Sequence, residues 1–380
     1  MPGTWHERPA AVRTQVITVR GWPALRSHEP ALEALHRDAG TPVTARLAWW
    51  QAAVRANPGA EPVLLAVPAA GGTLRAAALV AWRGTNGDRQ ITSVRPHTDD
   101  VWEVAAASDT ERRAVLTKLA LLAGRLSRPW GLVLTGLRDG GEAAWLAGQL
   151  PAGRAVFAPP VPGIGFTRDE VTFPHGIRRG LDRSGHRIRQ HRLDETIRFE
   201  REPARLAALR DEIEAVHRAR DHDAGRLSDL DDDAGAAFWH SVYDLHAGRG
   251  ELEVATLRLD GHLAAYVIAL TDGPAYRVFD GRFAPAWRQY SPGRRLEAAV
   301  VDHARRGPYR ELDWMSSVAP EKLVASTHEE PRWTVVAGDA QPVLTVAGEA
   351  PSVLSAAADP GPAFTAAGGS SIPSMTAAAP

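Results

Sequence analysis

The sequence predicts an α+β protein in which one arrangement of strands and helices occurs twice. Three observations predict it. Apolar runs of strand length are joined by Gly71-Gly72, Asn86-Gly87, Asp260-Gly261 and Asp272-Gly273, links that signal tight hairpins. Each three-strand meander is followed by a helix, a strand, a short helix and a last strand. The second copy keeps this order at an offset of about 190 residues, drifting to about 180 by the later strand.

In the first copy the strands read "PVLLAVPA" from Pro62, "TLRAAALVAWRG" from Thr73 and "RQITSVRP" from Arg89. The helix "SDTERRAVLTKLALLAGRL" carries Val115, Leu119, Leu122 and Leu126 on one stripe. "WGLVLTGL", "GEAAWLAGQL" and "GRAVFAP" complete the set. The second copy reads "ELEVATLRL", "HLAAYVIAL", "AYRVFDG", then the helix "SPGRRLEAAVVDHARR", with Leu296, Val300 and Ala304 on one side. "YRELDWM", the short helix "PEKLVAS" and "RWTVVAG" follow. Helical stretches precede each copy, at 23–38 and 44–56, and at 203–222 and 233–247.

These patterns divide the chain into an N-terminal domain over 11–165, a basic connecting helix and strand over 166–201, and a C-terminal domain over 202–339. The segment 340–380, poor in charge and rich in Gly, Ser and Pro, is expected to be a disordered tail.

The 380 residues are enough for two ordinary domains. A net charge of −1 excludes a bulk polyanion binder, so any nucleic-acid contact needs a local patch. The absence of cysteine excludes a Cys nucleophile, thiolate metal sites and disulfides. His217, His222, His240 and His246 lack metal-ligand spacing, and no metal is expected. The N-terminus lacks a signal-peptide core and no apolar run spans a bilayer, so a cytoplasmic protein without membrane contact is expected. One dense positive run stands out. Residues 173–192 hold six arginines, among them Arg179, Arg183 and Arg187, three histidines and one acid. It reads as a solvated basic helix, or as a grip on tRNA or donor phosphates.

The two long helices that follow the meanders differ at their starts. Ser108 and Glu111 have the S-x-x-E spacing of a capping box, and that start is acidic. The second helix opens on Ser291-Pro292-Gly293 with Arg294 and Arg295 and has no acid before Glu297. Pro292 suits the first helical position, and Gly293 permits close approach to the backbone. Free amides beside two guanidinium groups suit a phosphate-bearing ligand; an ordinary Pro-initiated helix with solvated arginines is the alternative.

A strand meander that feeds such a helix start, followed by a strand, resembles a GNAT acyltransferase core. Over 250–325 the sequence looks like the acetyltransferase-type domain of the BioF2/CelD-like group, which is similar to the Fem-type tandem-GNAT aminoacyl transferases. Phe279-Asp280, Tyr290-Ser291-Pro292-Gly293 and Asp313 carry the resemblance. It implies two tandem GNAT-like folds, each a mixed, mostly antiparallel sheet flanked by helices. It also implies transfer of an acyl group from acyl-CoA to a small amine acceptor, with aminoacyl-tRNA as the other donor and a non-catalytic ligand-binding module as a third reading. Where the family shows Tyr-Lys, this chain has Glu321-Lys322; the resemblance implies that Lys322 lies near the reacting carbonyl.

Amide formation needs a held donor, an oxyanion stabiliser and a proton acceptor. Tyr290 through Arg295 are the candidate donor grip. Backbone amides near the end of strand 275–281, or Lys322, are candidates for the oxyanion. Asp280 and Asp313 are candidate bases; each also suits a structural role, Asp280 as a turn residue before Gly281 and Asp313 as a cap or arginine partner.

Overall fold

The computed structural model describes residues 14–84, 89–93, 101–126, 128–166, 173, 175–315 and 327–339. The first half contains β1 (Ile17–Arg20), α1 (Trp22–Arg26), α2 (Glu29–Asp38), α3 (Leu47–Arg55), β2 (Glu61–Pro68), β3 (Leu74–Arg83) and β4 (Arg89–Thr92). It continues through β5 (Ala105–Ala106), α4 (Asp109–Ala123), β6 (Trp130–Leu137), α5 (Gly140–Gly148) and β7 (Arg154–Gly165). After α6 (His175–Gln190), the second half contains β8 (Glu195–Glu200), α7 (Pro203–Asp223), α8 (Asp233–Gly248), β9 (Leu252–Leu259), β10 (His262–Asp272) and β11 (Ala275–Phe283). A short 3-10 turn over Pro285–Tyr290 leads into α9 (Pro292–Arg306), β12 (Glu311–Asp313) and β13 (His328–Gly338).

The duplication is visible in the pairing. In each half an antiparallel meander ends on a strand that pairs in parallel, across a helix, with the next: β4 with β6 across α4, and β11 with β12 across α9. The first strands correspond too, since β1 pairs with β2 and β8 with β9, both antiparallel, and each is followed by helices. Neither β1 nor the two-residue β5 was legible in the sequence. The Asn86-Gly87 turn, the "PEKLVAS" segment and residues 340–380 lie outside the described residues.

The last strands do not stay in their own halves. The sheet runs β1-β2-β3-β4-β6-β13-β7-β12-β11-β10-β9-β8, with β5 beside β3. Thus β13 lies between β6 and β7 of the first half, antiparallel to both. The end of β7 reaches across to β12, Ile164 opposite Leu312. The two halves exchange strands and share one sheet. Prolines at 159, 160, 162 and 331 deny this seam some of its amide donors. The β13·β7 register shifts between Glu330 and Arg332, where a bulge accommodates them.

Alternation along the strands builds cores on both faces. In β2, Leu64 and Ala66 join one cluster and Val63, Leu65 and Val67 another. In β10, Tyr266, Ile268 and Leu270 face the first cluster, while Ala265, Val267 and Ala269 face a third. The first cluster is common to both halves. It joins α2 and α3 of one to α7 and α8 of the other, with Trp49 edge-on to Phe238 at 5.1 Å.

The α4 start is capped as its spacing predicts. Ser108 Oγ accepts from the Glu111 amide at 3.4 Å and donates to the Glu111 carboxylate at 2.9 Å. Replacing Ser108 with Ala removes both bonds, and a loss of about 1 kcal/mol is expected in chemical denaturation. An unchanged midpoint would show that this cap contributes nothing.

Candidate active site

The sheet opens where β11 outruns its parallel neighbour. The β11·β12 ladder stops at Arg277 opposite Asp313, whereas β11 continues to Phe283. Just beyond the stop, the pairing with β10 shifts from Ala269↔Val278 to Ile268↔Asp280, so Phe279 is an extra residue, a β-bulge. Its ring leaves the strand toward the first half and meets Trp49 edge-on at 5.5 Å.

From the end of β11 the chain passes through the 3-10 turn to the start of α9. Ser291 stands there with φ 48° and ψ 48°, a left-handed conformation uncommon for a residue with a side chain. No side chain caps this helix and its first turn has no acid. The first-turn amides therefore point outward, where the helix dipole favours an anion. Arg294 is exposed beside them. Burial pushes the Glu297 carboxyl up to about 7, against the pull of Arg294, so near neutral pH this acid repels an anion only partly.

Two expectations at this start are corrected. Arg295 is not a waiting cation: it makes a two-pronged bond to Glu195, with Nε and Nη2 each 2.6 Å from a carboxylate oxygen. Tyr290 is buried, its hydroxyl is 2.7 Å from His191 Nδ1, and its carbonyl accepts from Ser184 Oγ. It supports the turn rather than offering a free hydroxyl. At Gly293 a side chain would meet the Phe283 ring 3.3 Å from its Cβ, so this glycine also serves packing. Pro292 is buried at the first helical position, as expected.

The basic segment forms α6 and holds this turn in place. Its buried residues are Ser184, Gly185 and Ile188. Arg187 donates to the Gln289 carbonyl. Arg179 and Arg183 lie on the exposed side with Arg178, His186 and Arg189. An open cleft of about 650 Å³ lies beside the turn, lined by Val216, Arg258, His262, Trp287 and Tyr290 among others.

Asp280 is buried, with both carboxylate oxygens engaged. Oδ1 accepts from the Gly281 amide and from Arg282 Nη1, each at 2.8 Å. Oδ2 accepts from the Tyr266 hydroxyl at 2.8 Å and from Trp239 Nε1 at 3.2 Å, with His217 Nδ1 3.4 Å away. Burial pushes the carboxyl up, but Arg282, His217, Tyr266 and Trp239 outweigh it and hold Asp280 below the usual carboxylate range. An anion so satisfied is a poor proton acceptor, which corrects the expectation of a base. It ties β11 to α7 and α8 instead. His217 continues the network to Asp221 at 3.1 Å, and Arg282 Nε reaches the same Asp221 at 3.2 Å.

Asp313 takes its structural role: it pairs with Arg277 and accepts from the Met315 amide at 2.8 Å. Arg277 also reaches Asp272 at 3.1 Å, and Asp272 binds Arg46 and the Val43 amide of the first half. Lys322 lies outside the described residues. The remaining histidines of interest sit on carboxylates: His222 on Asp231, His240 on Glu214 and His246 on Glu251.

Residues 176–323 match the family model described as an acetyltransferase (GNAT) domain. The C-terminal half has a GNAT-like fold. The half before it repeats the GNAT order of strands, so the chain carries two GNAT-like folds in tandem. By sequence, no curated protein matches. Among solved structures, FemX superposes with a TM-score of 0.56 at 10% identity, covering 80% of this chain and 95% of that one. A conserved protein of unknown function from Bacteroides thetaiotaomicron gives 0.54 at 12%, over 81% and 97%. The C-terminal domain of a putative lysylphosphatidylglycerol synthetase from Agrobacterium fabrum gives 0.51 at 13%, over 83% and 92%. At these identities the likeness speaks for the fold. Among the described residues no helix is long and apolar enough to cross a membrane.

Sequence reasoning missed Glu103. It stands partly buried on the wall of a small cavity in the N-terminal half, together with Trp49, Trp50 and Trp102. The available signal was a lone acid inside the apolar run "VWEVAAA".

Proposed function

We propose that this protein is an acyltransferase that moves an acyl group from acyl-CoA to an amine, forming an amide. The observation that carries the reading is the uncapped, acid-free start of α9 at the end of the bulged strand of a GNAT domain. The CoA phosphates lie on the first-turn amides of Gly293 and Arg294, with the Arg294 side chain beside them. The acyl chain runs toward Phe279, where β11 has lost its parallel neighbour. The amine nitrogen attacks the acyl carbon, the C–N bond forms and the C–S bond breaks. The sulfur leaves as a thiol, carrying one of the protons lost by the nitrogen; the other goes to solvent through the protein. Lys322 is assigned to the acyl carbonyl. The C-terminal GNAT domain holds the donor, and the N-terminal half supplies the facing wall.

Calorimetric titration of nucleic-acid-free protein with CoA tests this reading. Micromolar binding is expected, weakened about tenfold by Arg294→Glu, which reverses a charge at the phosphates without adding bulk at Gly293. Absence of CoA binding would sink it. A second reading rests on the exposed basic face of α6. There Arg179, Arg183 and their neighbours would grip the backbone of an aminoacyl-tRNA donor, and charged tRNA rather than CoA would bind, with the steep salt dependence of phosphate contacts. Both donors are cytoplasmic molecules, and we place the protein there.

A further inference from the structure

The cavity at Glu103 lies in the N-terminal half, beside the α3 face that packs on the C-terminal one. Its wall includes the indoles of Trp49, Trp50 and Trp102, together with Thr44 and Ser93. Its free volume is about 20 Å³, room for one group the size of water or ammonium. It adjoins the opened strand through Trp49, whose ring is 5.5 Å from that of Phe279.

Most polar groups of this wall are satisfied. Trp102 Nε1 donates to the Leu79 carbonyl at 2.8 Å. Thr44 Oγ1 accepts from the Val101 amide at 3.3 Å, and Ser93 Oγ is 3.0 Å from Thr135 Oγ1. Two groups are not satisfied. Among the described residues the Glu103 carboxylate has no hydrogen bond or ion pair, and the buried Trp50 Nε1 has no acceptor. A carboxylate drawn out of water without a partner is costly, and a cation in the cavity would relieve that cost. Indole faces add attraction for a cation, strongest where water is excluded. An anion could accept from the Trp50 N–H but would stand against the Glu103 carboxylate, and a neutral apolar group would relieve neither group.

We propose that this cavity holds the primary ammonium group of the acceptor, with Glu103 as its counter-ion and the three indoles as its walls. The inference rests on the acyl-transfer reading for the word acceptor; the ammonium site itself does not. It names the substrate class as primary amines that arrive protonated, and it brings them from the N-terminal half toward a donor held by the C-terminal one. Burial pushes the Glu103 carboxyl above the usual range, against the pull of Arg138, Arg112 and Arg277 and with Glu142 adding to the rise. A carboxylate so raised is also better suited than Asp280 to take the ammonium proton before attack.

The test is titration of the full chain with n-butylammonium, and with n-butanol as its neutral counterpart, followed by the indole N–H resonance of Trp50. Trp50→Phe assigns that resonance. Saturable shifts with the ammonium and none with the alcohol are expected. Glu103→Gln, a change of charge at nearly constant shape, should weaken ammonium binding about tenfold to a hundredfold, and Glu103→Asp should restore part of it. Wild-type affinity should fall as the pH drops through the raised pKa of Glu103, and the Gln variant should lose that dependence. Equal shifts with butanol, or undiminished binding by the Gln variant, would overturn the proposal. CoA binding, measured in the same variants, separates the two readings. Ammonium binding without CoA binding leaves the pocket standing and removes the acyl-CoA reading; CoA binding with no Glu103-dependent ammonium shift removes the pocket and leaves the donor site.

Discussion

Replacing Asp280 with Ala is expected to lower stability by about 3–5 kcal/mol, because it leaves Arg282 and the Tyr266 and Trp239 donors buried around a missing anion. The melting temperature should fall by roughly 6–15 °C. The pH dependence has a definite sign. The folded carboxyl ionises below its ordinary range, so its contribution is fully present above the unfolded pKa of about 3.9 and is lost as the pH falls through the lower folded value. Wild type and Asp280→Asn should therefore converge in acid and separate toward neutrality. If the two denature alike at pH 7, Asp280 is not the anchor between β11, α7 and α8.

The second large effect concerns the exchanged strand. A chain ending at residue 315 lacks β13, and with it the pairing partners of both β6 and β7. Val335 and Ala337, both in the first-half core, go with it, as does the fully buried Arg332. The loss is expected to exceed the roughly 5–15 kcal/mol by which a typical domain is stable, and to unfold the half that the truncation does not touch. The first half alone, residues 14–166, should be aggregated or molten for the same reason, because its sheet is split between β6 and β7. Dispersed amide spectra and a cooperative transition for that fragment would show that it closes on its own strand after all.

What could be read from the sequence was local. Apolar runs of strand length gave β2, β3, β9, β10 and β11, and turn chemistry gave the Asp260-Gly261 hairpin, whose residues have φ of 49° and 80°. The Ser108 cap is equally local. At the other hairpin Asp272 belongs to the strand and the turn is Gly273-Pro274, since Asp272 pairs with Ala275. Strand exchange was hidden because an apolar run shows that β13 is a strand but not which strands flank it. The site was hidden for a related reason. Arg295 reads as a free cation until Glu195, a hundred positions earlier, is brought beside it, and Asp280 reads as a turn acid until α7 and α8 supply its donors. Glu103 carried a signal, an acid among apolar neighbours, but its meaning depends on Trp49 and Trp50, which come from α3.

The seam between β6 and β7 also sets a clock. During synthesis the first half must wait for 163 further residues, from Gly165 to His328, before its missing strand exists. At roughly 5–20 residues per second that wait lasts about 8–30 s, long compared with the folding of a small domain. Through it, two strand edges at the centre of the future sheet stand open on the ribosome. Slowing translation between these positions should therefore lower the yield of folded protein, whereas for two self-contained domains the same pause would help.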